Sequence, residues 1–166
     1  MPDYALMAEQ IRSLAESEPL WLPVLANASA LLNEALPDLN WVGFYLRDPR
    51  DGSLVLGPFQ GKAACIRIAE GRGVCGAAVL KDEVQLVPDV HKFPGHIACD
   101  SASNSEIVVP VHSAAGGGEA GRPAVVAVLD IDSPLYDRFS AEDRDGLTAI
   151  VRVIEECADF SGWYSL

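Results

Sequence analysis

The segment FPGHIACDSASNSEIVVP (93–110) places one thiol, Cys99, between a His-containing loop and a β-branched run, with Cys65 and Cys75 just upstream in ACIRIAEGRGVCG. Thiols so placed serve as packing atoms, as metal ligands, or as a redox pair around a nucleophile. Carboxylates add to the set. Asp130 and Asp132 stand two apart in VLDIDSP, so on a strand both side chains share one face, and Glu106 stands near the start of a neighbouring β-branched run. Such a group offers a sulfur nucleophile, since a thiol of reference pKa near ~8.5 keeps a usable thiolate fraction once its surroundings help. It also offers a proton donor, because carboxylates converging on one pocket repel and one of them stays protonated near neutral pH.

Bland readings compete with this one. Taken singly, Cys65 and Cys75 read as buried packing residues. DxDSP is also good turn chemistry, and a strand Trp is usually core. Zinc held by Cys65, Cys75, Cys99 and His91 or His96 lacks a C-x2-C knuckle and fits no common spacing, so neither a metal nor a cofactor is expected. His96, three residues before Cys99, is placed to lower its pKa, although loop histidines more often bond water or backbone. Cys157, in VIEECADF, has no motif around it and reads as structural.

A chain of 166 residues with 49% apolar content suits one domain spanning 1–166 with one core. A net charge of -12 argues against nucleic acid and anionic membranes as partners, because an acidic surface repels phosphates. No apolar run approaches the roughly 20 residues that cross a bilayer. MPDYALMAEQIRS lacks a basic stretch leading into an apolar one, so the expected location is the cytoplasm, where cysteine pairs tend to be redox-active.

The elements that must position these groups follow from periodicity. Tyr4, Met7, Ile11 and Leu14 recur at helical spacing, and Trp21 to Leu36 predicts a second helix with Pro23 tolerable only in its first turn. NWVGFYLR alternates, with Trp41, Gly43 and Tyr45 on one face and Val42, Phe44 and Leu46 on the other. DPRDG is a turn before a returning strand over Ser53–Phe59. Ala64–Ala69 reads as a short strand with Ile66 and Ile68 on one side, and Val74–Leu80 as a short helix after two breaking glycines. Strands are expected at Val84–Val87, Glu106–His112 and Ala124–Ile131. The loop from Asp89 to Asn104 is long for a compact domain, which favours function there. Ser140 with Asp143 forms a capping-box pattern that opens a last helix carrying Leu147, Ile150, Val151 and Ile154. This order suggests an α+β fold: an antiparallel sheet of about six strands with N- and C-terminal helices on one side.

The segments NWVGFYL, QGKAACIRIAEGRGVCGAA, DVHKFPGHIACDSASNSEIVVP and VLDIDSP, in this order, resemble the free methionine-(R)-sulfoxide reductases, which are built on a GAF domain. The resemblance runs from about Asn40 to Pro134. It implies that free methionine-(R)-sulfoxide is reduced to methionine and that thioredoxin returns the enzyme to the thiol state. By the same resemblance Cys99 is the attacking nucleophile, Cys65 forms a disulfide with it, and Cys75 is a third, secondary cysteine. Trp41 and Tyr45 surround the substrate's methyl end, and Glu106, Asp130 and Asp132 bind substrate and handle the sulfoxide oxygen. The chemistry agrees. Oxide is a very poor leaving group, so a sulfoxide needs a thiolate at sulfur and an acid at oxygen. Trp41 and Tyr45 sit about 13 Å apart along an extended strand, so both line one cavity only if the sheet curves or the rings lean together. Two departures from the family pattern are visible: the Gly-rich Ser113–Pro123 segment is long, and Ala127 replaces an expected Gly.

A non-catalytic GAF module sensing a small molecule or redox state is the alternative, since fold alone does not decide function. With no kinase, cyclase or DNA-binding segment after Leu166, and with nucleophile, resolving thiol and carboxylates together, the enzyme is the expectation. The expected partners are the sulfoxide substrate and thioredoxin; a homodimer is as open as a monomer.

Overall fold

The β-branched segments pair into one sheet whose two faces do different work. In the computed structural model, which describes residues 1–165, the strands are β1 (Trp41–Arg47), β2 (Leu54–Gly61), β3 (Arg67–Ile68), β4 (Gln85–Val87), β5 (Ser105–Ser113) and β6 (Ala124–Ser133). They form a six-stranded antiparallel sheet in the order β3-β2-β1-β6-β5-β4. On one face lie α1 (Tyr4–Ser17), α2 (Trp21–Ala35) and α4 (Ala141–Cys157), whose Ile11, Leu25, Leu32, Leu147 and Ile150 pack on Val42, Phe44 and Leu46. This is the expected α+β layout.

The helices begin where their sequences say. Asp3 accepts from the Leu6 N–H at the start of α1. Ser140 and Asp143 close a reciprocal capping box on α4, and the Tyr4 hydroxyl donates to the same Asp143, tying α1 to α4. None of the described helices is long and apolar enough to cross a membrane.

The terminal helices share one face as expected, and α3 (Gly73–Lys81), between them in the chain, lies on the opposite one. Two features depart from the sequence-based expectation. The strand expected over Ala64–Ala69 shrinks to Arg67–Ile68, and Ile66 is 75% exposed while Ile68, expected on the same side, is buried. Just before β3 the chain stays tied to β1 and β2, where the Tyr45 hydroxyl and the Leu56 N–H donate to the carbonyls of Cys65 and Ile66. The long loop also contains a 3-10 turn at Val90–Lys92. Both departures from the family pattern lie away from the second face. Ala127 is buried on the α1/α2/α4 side, and the 113–123 segment, with two 3-10 turns, hangs from the far ends of β5 and β6.

Gly43, between Trp41 and Tyr45 on the second face, is where the strands approach closely. A Cβ there would lie 2.3 Å from the Cβ of Phe59, and the β1–β2 register shifts beside it. Gly43→Ala should therefore destabilise the protein by about 1–3 kcal/mol, read as a lower midpoint in urea unfolding. An unchanged midpoint would mean that the hairpin adjusts freely.

Candidate active site

Register puts the chemistry in one row. Asp132 lies directly opposite Trp41 on β1 and Glu106 on β5, while Asp130, two residues along β6, lies opposite Gly43 and Val108. All these side chains point to the face away from α1, α2 and α4. The hollow left by Gly43 is filled from the sides: Trp41 and Tyr45 stack with centroids 5.8 Å apart, and Phe59 stacks on Trp41 at 5.2 Å. The rings thus lean together as one wall. α3 covers the row and sets Cys75 against it, with one polar atom each of Cys75, Glu106 and Asp130 within 4.8 Å of the others.

The resulting pocket is lined by Trp41, Tyr45, Cys75, Cys99 and the carboxylates of Glu106, Asp130 and Asp132, with His96, Asp100 and Ser103 on the loop side. All eight residues singled out in the sequence for chemistry or binding therefore converge, save that Cys65 meets the pocket through its bond to Cys99. Cys65 and Cys99 are joined in a disulfide across a separation of 34 residues, with Cα atoms 5.5 Å apart. Cys75 is buried and free; Cys157 is free, half-buried, and near Arg12. The aromatic residues do more than line a wall. Trp41 Nε1 donates to the Lys62 carbonyl and the Tyr45 hydroxyl to that of Cys65, so the pocket wall anchors the segment carrying one of the disulfide's cysteines.

A family model described as GAF domain matches residues 20–157. The free methionine-R-sulfoxide reductase of Escherichia coli (strain K12) is 50% identical over 153 residues, covering 92% of this chain and 87% of that protein. The structure of fRMsr of Staphylococcus aureus in complex with substrate matches with TM-score 0.84 at 46% identity, over 96% of this chain and 97% of that one. Free methionine-R-sulfoxide reductase from Neisseria meningitidis in complex with its substrate matches with TM-score 0.84 at 43% identity, over 96% and 90%. The chain belongs to the free methionine-R-sulfoxide reductase family of GAF domains.

In this reductase-family pocket the electrostatics follow from burial. Glu106 and Asp130 are each only 6% exposed. Desolvation, reinforced by Asp130 and Asp132, lifts the Glu106 carboxyl well above the usual carboxylate range. Desolvation and then Asp130 do the same for Asp132, while Asp130 itself rises to about 6, restrained by hydrogen bonds from Glu106 and Cys75. Burial, then the charges of Asp130 and Glu106, pushes the Cys75 thiol up as well, so that it stays a thiol. Burial, then His91, lowers the His96 pKa, so a neutral imidazole lines the pocket near Cys99. One oxygen of Asp130 is buried with no partner among the described residues.

Sequence reasoning passed over three residues that the fold brings to the site. Asn40, within NWVGFYL, bonds Asp100 and Ser103, the residues that follow Cys99. Only their place inside the recognised motifs could have drawn attention to them.

Carboxyls whose pKa is raised on folding contribute stability that is present below their unfolded values near ~4 and is lost as pH rises through the folded ones. The Asp130 value of about 6 puts its share of that loss between about pH 4 and 6, and the more strongly raised Glu106 and Asp132 carry theirs to higher pH. Glu106→Gln removes one of these titrations and relaxes its neighbours. It should raise the melting temperature at pH 8 by a few degrees, on the order of 1 kcal/mol, with little gain at pH 5. A melting temperature lower than the parent's at pH 8 would show that the carboxylates do not repel.

Proposed function

We propose that this chain reduces free L-methionine (R)-sulfoxide to L-methionine with Cys99 as nucleophile. The observation that carries the reading is the Cys65–Cys99 disulfide at a pocket with an aromatic wall and a floor of proton-bearing carboxylates. The relatives whose names and bound substrates point the same way add support.

The reaction divides into balanced steps. The Cys99 thiolate attacks the sulfoxide sulfur while a pocket carboxylic acid gives its proton to the oxygen. The hydroxyl then passes to the Cys99 sulfur as the substrate's sulfur–oxygen bond and the transient sulfur–sulfur bond both break, so that methionine leaves and Cys99 becomes a sulfenic acid. Glu106 suits the acid role, because its deep burial among carboxylates keeps it protonated at neutral pH. Cys65 then displaces the sulfenic oxygen as water, forming the disulfide. An external dithiol, which we assign to thioredoxin in a reducing cytoplasm, restores both thiols by exchange. Cys75, held as a thiol by burial, supports Asp130 and takes no part in resolution in this arrangement. The methyl and methylene groups lie against Trp41 and Tyr45, where sulfur–aromatic contact is favourable. The remaining carboxylates, Asp130 and Asp132, face the ammonium.

Turnover on resolved R and S free methionine sulfoxide with a thioredoxin system tests the reading; equal rates on both epimers, or none on R, would overturn it. Cys99→Ser should abolish turnover, since an alcohol is a far weaker nucleophile than a thiolate. Cys65→Ser should release about one methionine per enzyme and then recycle poorly, because the Cys99 sulfenic acid loses the thiol that condenses with it and Cys75 stays buried as a thiol against the carboxylates. A Cys75–Cys99 bridge as the main oxidised product would transfer the resolving role to Cys75.

Substrate size supplies a further check. An ammonium paired with buried carboxylates is missing from a methionine within a polypeptide, and the flanking chain would have to leave through the 93–104 loop. N-acetyl-methionine sulfoxide and oxidised peptides should therefore fall orders of magnitude below the free amino acid in kcat/KM. Comparable values on a peptide would make this a protein-repair enzyme.

A further inference from the structure

Asn40 is a polar side chain of NWVGFYL with no task in the pocket described so far. Its backbone N–H donates to the Asp132 carbonyl at 3.0 Å, which fixes the residue to the end of β6. Its side-chain amide reaches the other way, into the loop that carries Cys99. Nδ2 donates to Asp100 Oδ2 and to Ser103 Oγ, each at 3.0 Å. Both amide protons are thereby committed to residues that closely follow Cys99.

These bonds lie beside the carboxylate row. Ser103 is buried and accepts from Asn40 near Asp132, whose carboxyl pKa it helps to restrain, and Asp100 is also gripped by the Ala102 N–H. Lys62 is the positive charge acting on Asp100. The backbone bonds of the loop run inward, from His96 to Phe93, Cys99 to Ile97 and Ser103 to Asp100. Among the described residues, the stretch 94–103 is therefore hydrogen-bonded to the sheet through Asn40, whose own N–H is held by the Asp132 carbonyl, and is otherwise tied by the disulfide. The amide's orientation is forced as well. Turning it over would aim Oδ1 at the Asp100 carboxylate, so Oδ1 remains buried and unpartnered.

We propose that Asn40 is a positioning residue for disulfide formation, holding the Asp100–Ser103 turn against the sheet so that oxidised Cys99 lies within reach of Cys65. The step it serves is attack of the Cys65 thiolate on the Cys99 sulfur. The sulfur–oxygen bond breaks, the hydroxyl leaves as water with a proton, and the two sulfurs join. Without the two amide donors the loop samples positions farther from Cys65, and the sulfenic acid survives longer. The inference rests on the roles given above to Cys99 and Cys65, and its test separates the two readings.

Reduced enzyme is mixed with one equivalent of free methionine (R)-sulfoxide and quenched at intervals. Released methionine, the Cys99–dimedone adduct and the Cys65–Cys99 disulfide are then measured by mass spectrometry. Asn40→Asp keeps the side chain's shape but replaces both donors with an acceptor. First-turnover methionine release should stay within about twofold of the parent, while the disulfide forms about tenfold more slowly and the dimedone adduct grows to match. Asn40→Ala should behave alike. Lowering the pH should bring Asn40→Asp, which regains an O–H donor, closer to the parent than Asn40→Ala. A shape-only role would leave Asn40→Asp at the parent's rate and slow Asn40→Ala alone, which overturns the proposal, as does an unchanged rate in both. Ser103→Ala, which removes one of the two acceptors, should give an intermediate slowing, and full speed there counts against the latch. Hydrogen peroxide in place of the sulfoxide makes the same sulfenic acid. A parent that forms the disulfide with peroxide but releases no methionine from the sulfoxide would fail the reductase reading while still measuring the latch.

Discussion

Pairing of β6 with both of its neighbours is the constraint on which the site depends. Because β6 is hydrogen-bonded to β1 and β5 at once, Trp41, Asp132 and Glu106 fall in one line across three strands, with Asp130 beside the Gly43 hollow. A slip of one residue would send every one of these side chains into the apolar face packed by α1, α2 and α4. There the cost of burying charges without partners would exceed what the core supplies. The all-apolar complement on the other face, from Val42 and Phe44 to Leu129 and Ile131, therefore guards the register of the catalytic face.

The same pairing makes the site expensive. Like-charged side chains directly opposite one another on neighbouring strands are destabilising, and Glu106 and Asp132 are such a pair. The protein's answer is protonation, with burial raising each acid until a proton is shared out among them. Stability is thus given up at neutral pH for proton donors that a more solvated site would not hold, a trade common where carboxylates perform acid chemistry.

Around that fixed floor the two cysteine-bearing segments are held differently. The Cys65 segment is bound through its carbonyls by the aromatic wall, so wall and thiol move as one body. The Cys99 loop is tied by backbone bonds at its two ends, at Phe93 and Asn104, and between them by the Asn40 side chain on Asp100 and Ser103. Side-chain bonds of that kind break and reform more easily than a strand ladder, which suits the role proposed for Cys99, whose sulfur would face first the substrate and then Cys65.

Local pattern determined much of this by itself. Alternation in NWVGFYLR, the DxD spacing and the Ser140 cap each depend on neighbours within a few residues, so strand faces and helix starts were legible, and four motifs sufficed to indicate the family. What the sequence left open was geometry between distant segments. Rings expected about 13 Å apart by strand rise stack at 5.8 Å, because Gly43 lets Phe59 press in and the sheet bend. Ile66, which alternation placed on the same side as Ile68, is exposed while Ile68 is buried, because the strand that would have set both is only Arg67–Ile68. Whether Cys65 or Cys75 joins Cys99 depended on which one α3 buries against carboxylates, and Asn40 acquired its partners only when the 93–104 loop folded back over the sheet. Periodicity encodes which way a side chain points; which side chain it meets is decided by packing between elements far apart in the chain.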